Sequence, residues 1–184
     1  MSRKVSIILA FAALVVCMPF PVRAGCAAAE TPDWSDVSYL RVESSHAAGG
    51  AGLPQFQLIM ERRRSGWIVN LHHAYDAPFK HGTYTSDDPE KLFNQLLGEL
   101  RQKDFFTMRL VPANKIYIDG LEQTIALARC GVRTSLSNAQ PGAFGMSPEG
   151  KEAQAFLDLA SQLRTLIYAA SWRKLSDDYT FTRP

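Results

Sequence analysis

QFQLIMERRRSGWIVNLHH, residues 55–73, decides the fold. In its first half Phe56, Leu58 and Met60 alternate with Gln57, Ile59 and Glu61, the two-residue period of a strand with one face on a core. Residues 63–66, Arg-Arg-Ser-Gly, read as a hairpin turn, after which Trp67, Val69 and Leu71 resume the alternation. The stretch predicts a two-stranded antiparallel ribbon with one apolar side, and such a side has to be covered by another layer.

Working outward, residues 39–43 alternate weakly and residues 44–54 (SSHAAGGAGLP) show no period and read as a loop. Downstream, Asp88 suits the cap of a helix, Pro89 its first turn, and Leu92, Phe93, Leu96, Leu97 and Leu100 recur at helical spacing as far as Lys103. Phe105 and Phe106 follow as core anchors. Residues 115–119 and 123–130 read as strands on either side of an Asp119-Gly120 turn, although 121–128 also fits a short helix; Gly131 then turns the chain into a strand over 132–136. Ser147-Pro148-Glu149 opens a last helix whose stripe is Phe156, Leu159, Ala160, Leu163, Leu166 and Ile167. The expectation is α+β: an antiparallel sheet of about five strands with two amphipathic helices on one face. One domain over 37–176 accommodates this, with a linker over 25–36 and a tail over 177–184.

The N-terminus speaks to compartment. Arg3 and Lys4 precede an apolar run over 5–17, which is the length of a signal-peptide core and too short for a membrane span. Val22 and Ala24 sit three and one residues before a cut that leaves Gly25 first, so 1–24 reads as a removed signal peptide and the mature chain as periplasmic or secreted. Ala24-Gly25-Cys26 also looks like the end of a bacterial lipobox, with Arg23 where an apolar residue belongs, so lipidation of Cys26 is an alternative and the one route to a membrane. The whole chain has 20 basic and 18 acidic residues; loss of Arg3, Lys4 and Arg23 leaves 17 against 18, a net charge of −1. With no basic tract beyond Arg62-Arg63-Arg64, nucleic acid is not an expected partner. Cys26 and Cys130 remain after the cut; they either pair in an oxidising compartment, or Cys130 is a free thiol buried in a strand.

Residues 69–84 (VNLHHAYDAPFKHGTY) concentrate three of the four histidines. His72, His73, Asp76 and His81 are suitable zinc ligands by type, but adjacent His72 and His73 on one strand project to opposite faces and cannot close on one ion. Ser65 lacks the setting of an exposed nucleophile, Cys130 has no local histidine, and Gly49, Gly50 and Gly52 follow no strand-to-helix junction. No catalytic residue, metal or cofactor is therefore expected. Tyr75, Phe79 and Tyr84 with His73, Asp76 and His81 instead have the composition of a partner-binding loop, the other reading being that the rings tuck beneath it. An unrecognised enzyme remains the rival from another class.

The order of a strand pair, Pro89-Glu90 leading a Leu-rich helix that ends in Asp104-Phe105-Phe106, Asp119-Gly120 ahead of a strand, the Gly131 turn and a closing helix resembles the small exported or lipid-anchored bacterial α+β proteins that include emfourin, a protein inhibitor of thermolysin-type metallopeptidases. The resemblance spans residues 37–168. It implies a non-catalytic inhibitor or immunity-type protein whose partner is a secreted hydrolase or toxin in the periplasm, contacted through 74–84 or 44–54. Ser44-Ser45-His46 stands where those inhibitors share Ser-Gly-Gly, so no functional residue carries over. An envelope lipoprotein with a structural or assembly role is the alternative.

Overall fold

A computed structural model of the chain describes residues 33–46, 55–74, 79–110, 121–140 and 151–178. In chain order these form β1 (Val37–His46), β2 (Phe56–Arg63), β3 (Gly66–His73), β4 (Gly82–Ser86), α1 (Pro89–Gln102), β5 (Leu121–Arg129), β6 (Val132–Gln140), α2 (Lys151–Ala169) and β7 (Trp172–Ser176). All strands join one antiparallel sheet in the order β6-β5-β1-β2-β3-β4-β7. β1, first of these in sequence, lies inside the sheet between β5 and β2.

The ribbon at 55–73 is present as β2 and β3, with Arg63 opposite Gly66 across a two-residue turn. Gly66 has φ 121°, a conformation that a Cβ disfavours. The β5–β6 hairpin also turns in two residues, Cys130 at φ 53° and Gly131 at φ 80°. Positive φ at both central positions matches the twist of antiparallel strands. In α1, Asp88 accepts a hydrogen bond from the Lys91 amide at 3.2 Å and Pro89 occupies the first turn, as the spacing predicts.

Alternate residues of the strands, among them Leu40, Val42, Leu58, Met60, Val69, Leu71, Ile125 and Leu127, meet Leu92, Phe93, Leu96 and Leu100 of α1 and Phe156, Leu159, Leu163 and Ile167 of α2 in one core. Both helices thus cover the same sheet face. Phe105 is fully buried, and Phe106 packs on Trp34 with ring centroids 4.8 Å apart.

Several expectations are corrected. The sheet has seven strands where about five are expected, since β4 and β7 are added. β4 contributes one large apolar side chain, Tyr84, and β7 carries Arg173 and Lys174, so neither has the alternation that announces a strand; each is held by pairing with a neighbour. Of the two readings of this stretch, the strand expected over 123–130 is the one observed, as β5 at Leu121–Arg129, where β1 and β6 fill its ladder from both sides; the short helix over 121–128 is not formed. β1 runs on through Ser44 to His46, where a loop is expected; Ser44 is buried and accepts a hydrogen bond from Gln123 Nε2 at 3.0 Å. β6 continues to Gln140, four residues past its expected end. Cys130 is neither in a strand nor buried: it is exposed at the hairpin tip and disulfide-bonded. The expected strand at 115–119 and the helix-opening residues 147–149 lie outside the described residues.

Candidate functional site

The pleat of β3 divides the two adjacent histidines. His73 points into the core beside Phe56, Phe79 and Tyr168, with ring centroids 6.4, 5.8 and 5.9 Å away, and its Nε2 lies 3.4 Å from the Tyr168 hydroxyl. Phe79 also touches Tyr84 (5.6 Å), Tyr168 (5.6 Å) and Trp172 (6.5 Å). Tyr84 is buried in β4 and donates its hydroxyl to the Lys80 carbonyl at 2.5 Å. Trp172 Nε1 donates to the Ile167 carbonyl at 2.7 Å, tying the end of α2 to β7. These rings close one end of the core, and burial pushes the Tyr168 hydroxyl above its ordinary pKa, with the nearby Arg164 charge a smaller opposing effect.

Of the expected contact residues, then, His73, Phe79 and Tyr84 are packed together, which is the tucked-ring alternative. His81 is exposed. Tyr75 and Asp76 lie outside the described residues, as does Cys26. Near His81, the Lys174 ammonium pairs with the Asp177 carboxylate and holds its pKa below the usual range, with smaller contributions from His81 and Lys80. Among the described residues no three His, Cys, Asp or Glu side chains come together as a metal site.

His72 projects to the opposite face, which carries no helix among the described residues, and there pairing assembles a feature that the sequence does not announce. Ser137, Thr124, Glu43, Gln57, His72, Thr83 and Ser176 stand directly opposite one another across β6, β5, β1, β2, β3, β4 and β7. One polar side chain from every strand forms a row across the sheet. Thr124 and Ser137 share a hydrogen bond at 2.8 Å; Glu43 Oε2 accepts from Gln57 Nε2 at 2.7 Å and from Arg41 Nε at 2.8 Å. Thr83 donates to the Asp178 carbonyl at 2.8 Å, so its single proton is committed and His72 Nδ1, 3.1 Å away, must donate to it. The row is not simply solvated: Gln57 is 1 % exposed and His72 3 %. Burial lowers the His72 pKa and favours the neutral ring. Gln57 Oε1 is buried and has no hydrogen-bond partner among the described residues; a buried oxygen left unpaired costs about 1–3 kcal/mol.

The row escapes sequence reading because its members look like the ordinary outward positions of alternating strands. Only the polarity of Gln57 and His72 within apolar runs hints at it. A second feature is a cleft of about 350 Å³ between the start of α1 and the end of α2, lined by Asp87, Asp88, Lys91, Gln95, Leu166 and Ser171. Asp88 there is engaged as the α1 cap.

No protein-family model, curated protein or solved structure matches this chain.

Proposed function

We propose that this chain is an exported, non-catalytic binding protein that blocks a secreted hydrolase or toxin in the bacterial envelope. The observation carrying this reading is the hydrogen-bonded polar row on the sheet face opposite the two described helices. A rigid sheet holds polar groups at fixed spacing; Glu43, Gln57 and His72 are buried, and the exposed Thr124–Ser137 end of the row offers a partner directional hydrogen bonds at little ordering cost. The aromatic and imidazole groups of 69–84 that are described fall to structural work instead: His73 and Tyr168 meet in the core, Tyr84 holds Lys80, and His72 holds Thr83. Contact through the 74–84 segment would run through His81 and its neighbours Lys80 and Asp177 at the surface.

The test is inhibition. Titrating the purified mature chain into envelope and culture fractions of its source, with separate peptidase, nuclease and cell-wall hydrolase assays, should remove one activity stoichiometrically, with the end point near equal concentrations of chain and enzyme. Unchanged rates in every assay at about tenfold excess would remove the inhibitor reading. At that ratio even micromolar binding at micromolar enzyme leaves most of the target occupied.

A further inference from the structure

We propose that the end of the sheet where the β2–β3 and β5–β6 turns meet docks on an anionic phospholipid surface, a route to the membrane that needs no lipid anchor. The proposal goes beyond the inhibitor reading and shares with it only the export that brings the chain to an envelope.

Both turns flank the start of β1, because Val37 stands opposite Arg129 and Tyr39 opposite Glu61. Arg62 ties this corner together, donating from Nη2 to the Ser35 and Val37 carbonyls at 2.7 and 3.0 Å. The segment after α1 arrives at the same corner: Phe106 packs on Trp34, and the Arg129 guanidinium lies 5.3 Å from the Phe106 ring. Three stretches remote in sequence thus pool their cations. The first hairpin supplies Arg62, Arg63 and Arg64, all exposed. The second supplies Arg129, half-buried, and Arg133, exposed. Arg101, Lys103 and Arg109, again exposed, come with the end of α1. Against these eight stand Asp33, Asp36, Glu61, Glu99 and Asp104, so the described residues of the corner carry a formal charge of +3. The mature chain as a whole carries −1. No single stretch holds more than three of the cations, which is why the sequence alone does not announce the patch.

Charge by itself suits any polyanion. The apolar side of the corner favours lipid. Trp34, Trp67 and Phe106 are half-buried, with the Arg62 guanidinium 5.8 Å from the Trp67 ring. Arg133 lies 4.5 Å over the Tyr39 ring. Aromatic rings interleaved with cations are the composition of the headgroup region of a bilayer, where the ring meets the acyl boundary and the cation meets phosphate. Val132 stands at the β5–β6 tip beside Arg133 and is 70 % exposed, the most exposed large apolar side chain described. It gains from an acyl boundary and has nothing to gain from a phosphodiester backbone. Both turns are convex, and a fluid bilayer admits both where a protein partner needs two matched pockets.

The mature chain, unacylated and with its disulfide intact, should be sedimented with vesicles of phosphatidylglycerol mixed with phosphatidylcholine, and separately with vesicles of phosphatidylcholine alone. It is expected to pellet with the first at low salt and not with the second, and to be largely released as the screening length falls from about 30 Å at 0.01 M salt to about 3 Å at 1 M. Arg64→Ser combined with Lys103→Ser should weaken partitioning about twenty-five-fold, since each cation near such a surface contributes about fivefold. Lys80→Ser combined with Arg173→Ser removes the same charge at the β4–β7 side of the sheet and should change partitioning little. Val132→Ser should weaken pelleting several-fold and leave retention on heparin unchanged. All the substituted side chains are exposed, so each variant should keep the parent's urea midpoint. Absence of pelleting with the anionic vesicles, equal pelleting with the neutral ones, or equal weakening by the two charge pairs overturns the proposal and leaves the inhibitor reading standing. Val132→Ser without effect on pelleting also overturns it, and makes the corner a general polyanion contact.

Discussion

Gly82 offers a sharp test of the sheet beyond β3. It begins β4 at φ 145°, and a Cβ built there would lie 2.5 Å from the Ser176 carbonyl oxygen and 2.7 Å from Lys174 Cε. The lysine stem can swing aside. The carbonyl cannot move alone, because Ser176 is opposite Thr83 and Trp172 anchors β7 to the end of α2. Gly66 is the control: its φ is 121°, but nothing lies within 4 Å of its would-be Cβ. Gly66→Ala thus meets only the backbone penalty, about 1–2 kcal/mol, reduced by about 0.4–1 kcal/mol because alanine also restricts the unfolded chain. Gly82→Ala meets the same penalty plus an overlap of about 1–3 kcal/mol. Net losses should be about 1 kcal/mol at residue 66 and about 2–4 kcal/mol at residue 82. Urea unfolding followed by tryptophan fluorescence reads both as midpoint shifts, and hydrogen exchange should show loss of protection at residues 172–176 in Gly82→Ala alone. Equal midpoints for the two variants would mean that β7 does not lie against Gly82, and the outer half of the sheet would have to be redrawn.

Two further outcomes follow from the helix cap and the polar row. Removing the α1 cap with Asp88→Ala should lower stability by about 1 kcal/mol, and an unchanged urea midpoint would show that the Lys91 amide finds another partner. His72 has a folded-state pKa below its ordinary 6.5, so the unfolded chain binds the proton more readily; stability is complete above about pH 6.5 and falls as pH drops from there toward the folded value, by at most about 1.4 kcal/mol per pH unit. His72→Gln should remove that part of the slope, and identical pH profiles for the two proteins would exclude His72 as its source.

How much of this was legible in the sequence depends on how local each signal is. The ribbon of β2 and β3 needs only the alternation of Phe56, Leu58 and Met60 and then Trp67, Val69 and Leu71, and the hairpin between them closes in two residues. The two helices announce themselves through stripes at Leu92–Leu96–Leu100 and Phe156–Leu159–Leu163, with Asp88 and Pro89 marking where the first begins. The separation of His72 from His73 also follows from the pleat alone. β4 and β7 were not legible, because five residues containing one buried ring or two cations carry no periodic signal.

The sequence by itself determined the α+β class, the ribbon and the amphipathic helices, since hydrophobic period and capping act over a few neighbouring residues. Only the tertiary structure decided that Phe79, Tyr84 and His73 belong to the core, that Cys130 is bonded, and that seven polar residues scattered from Glu43 to Ser176 stand in one row. Those outcomes depend on which strands become neighbours, and β1 pairs with β5 some eighty residues away. Such long-range pairings are selected by the burial of the whole apolar face, a quantity that no local stretch of sequence contains.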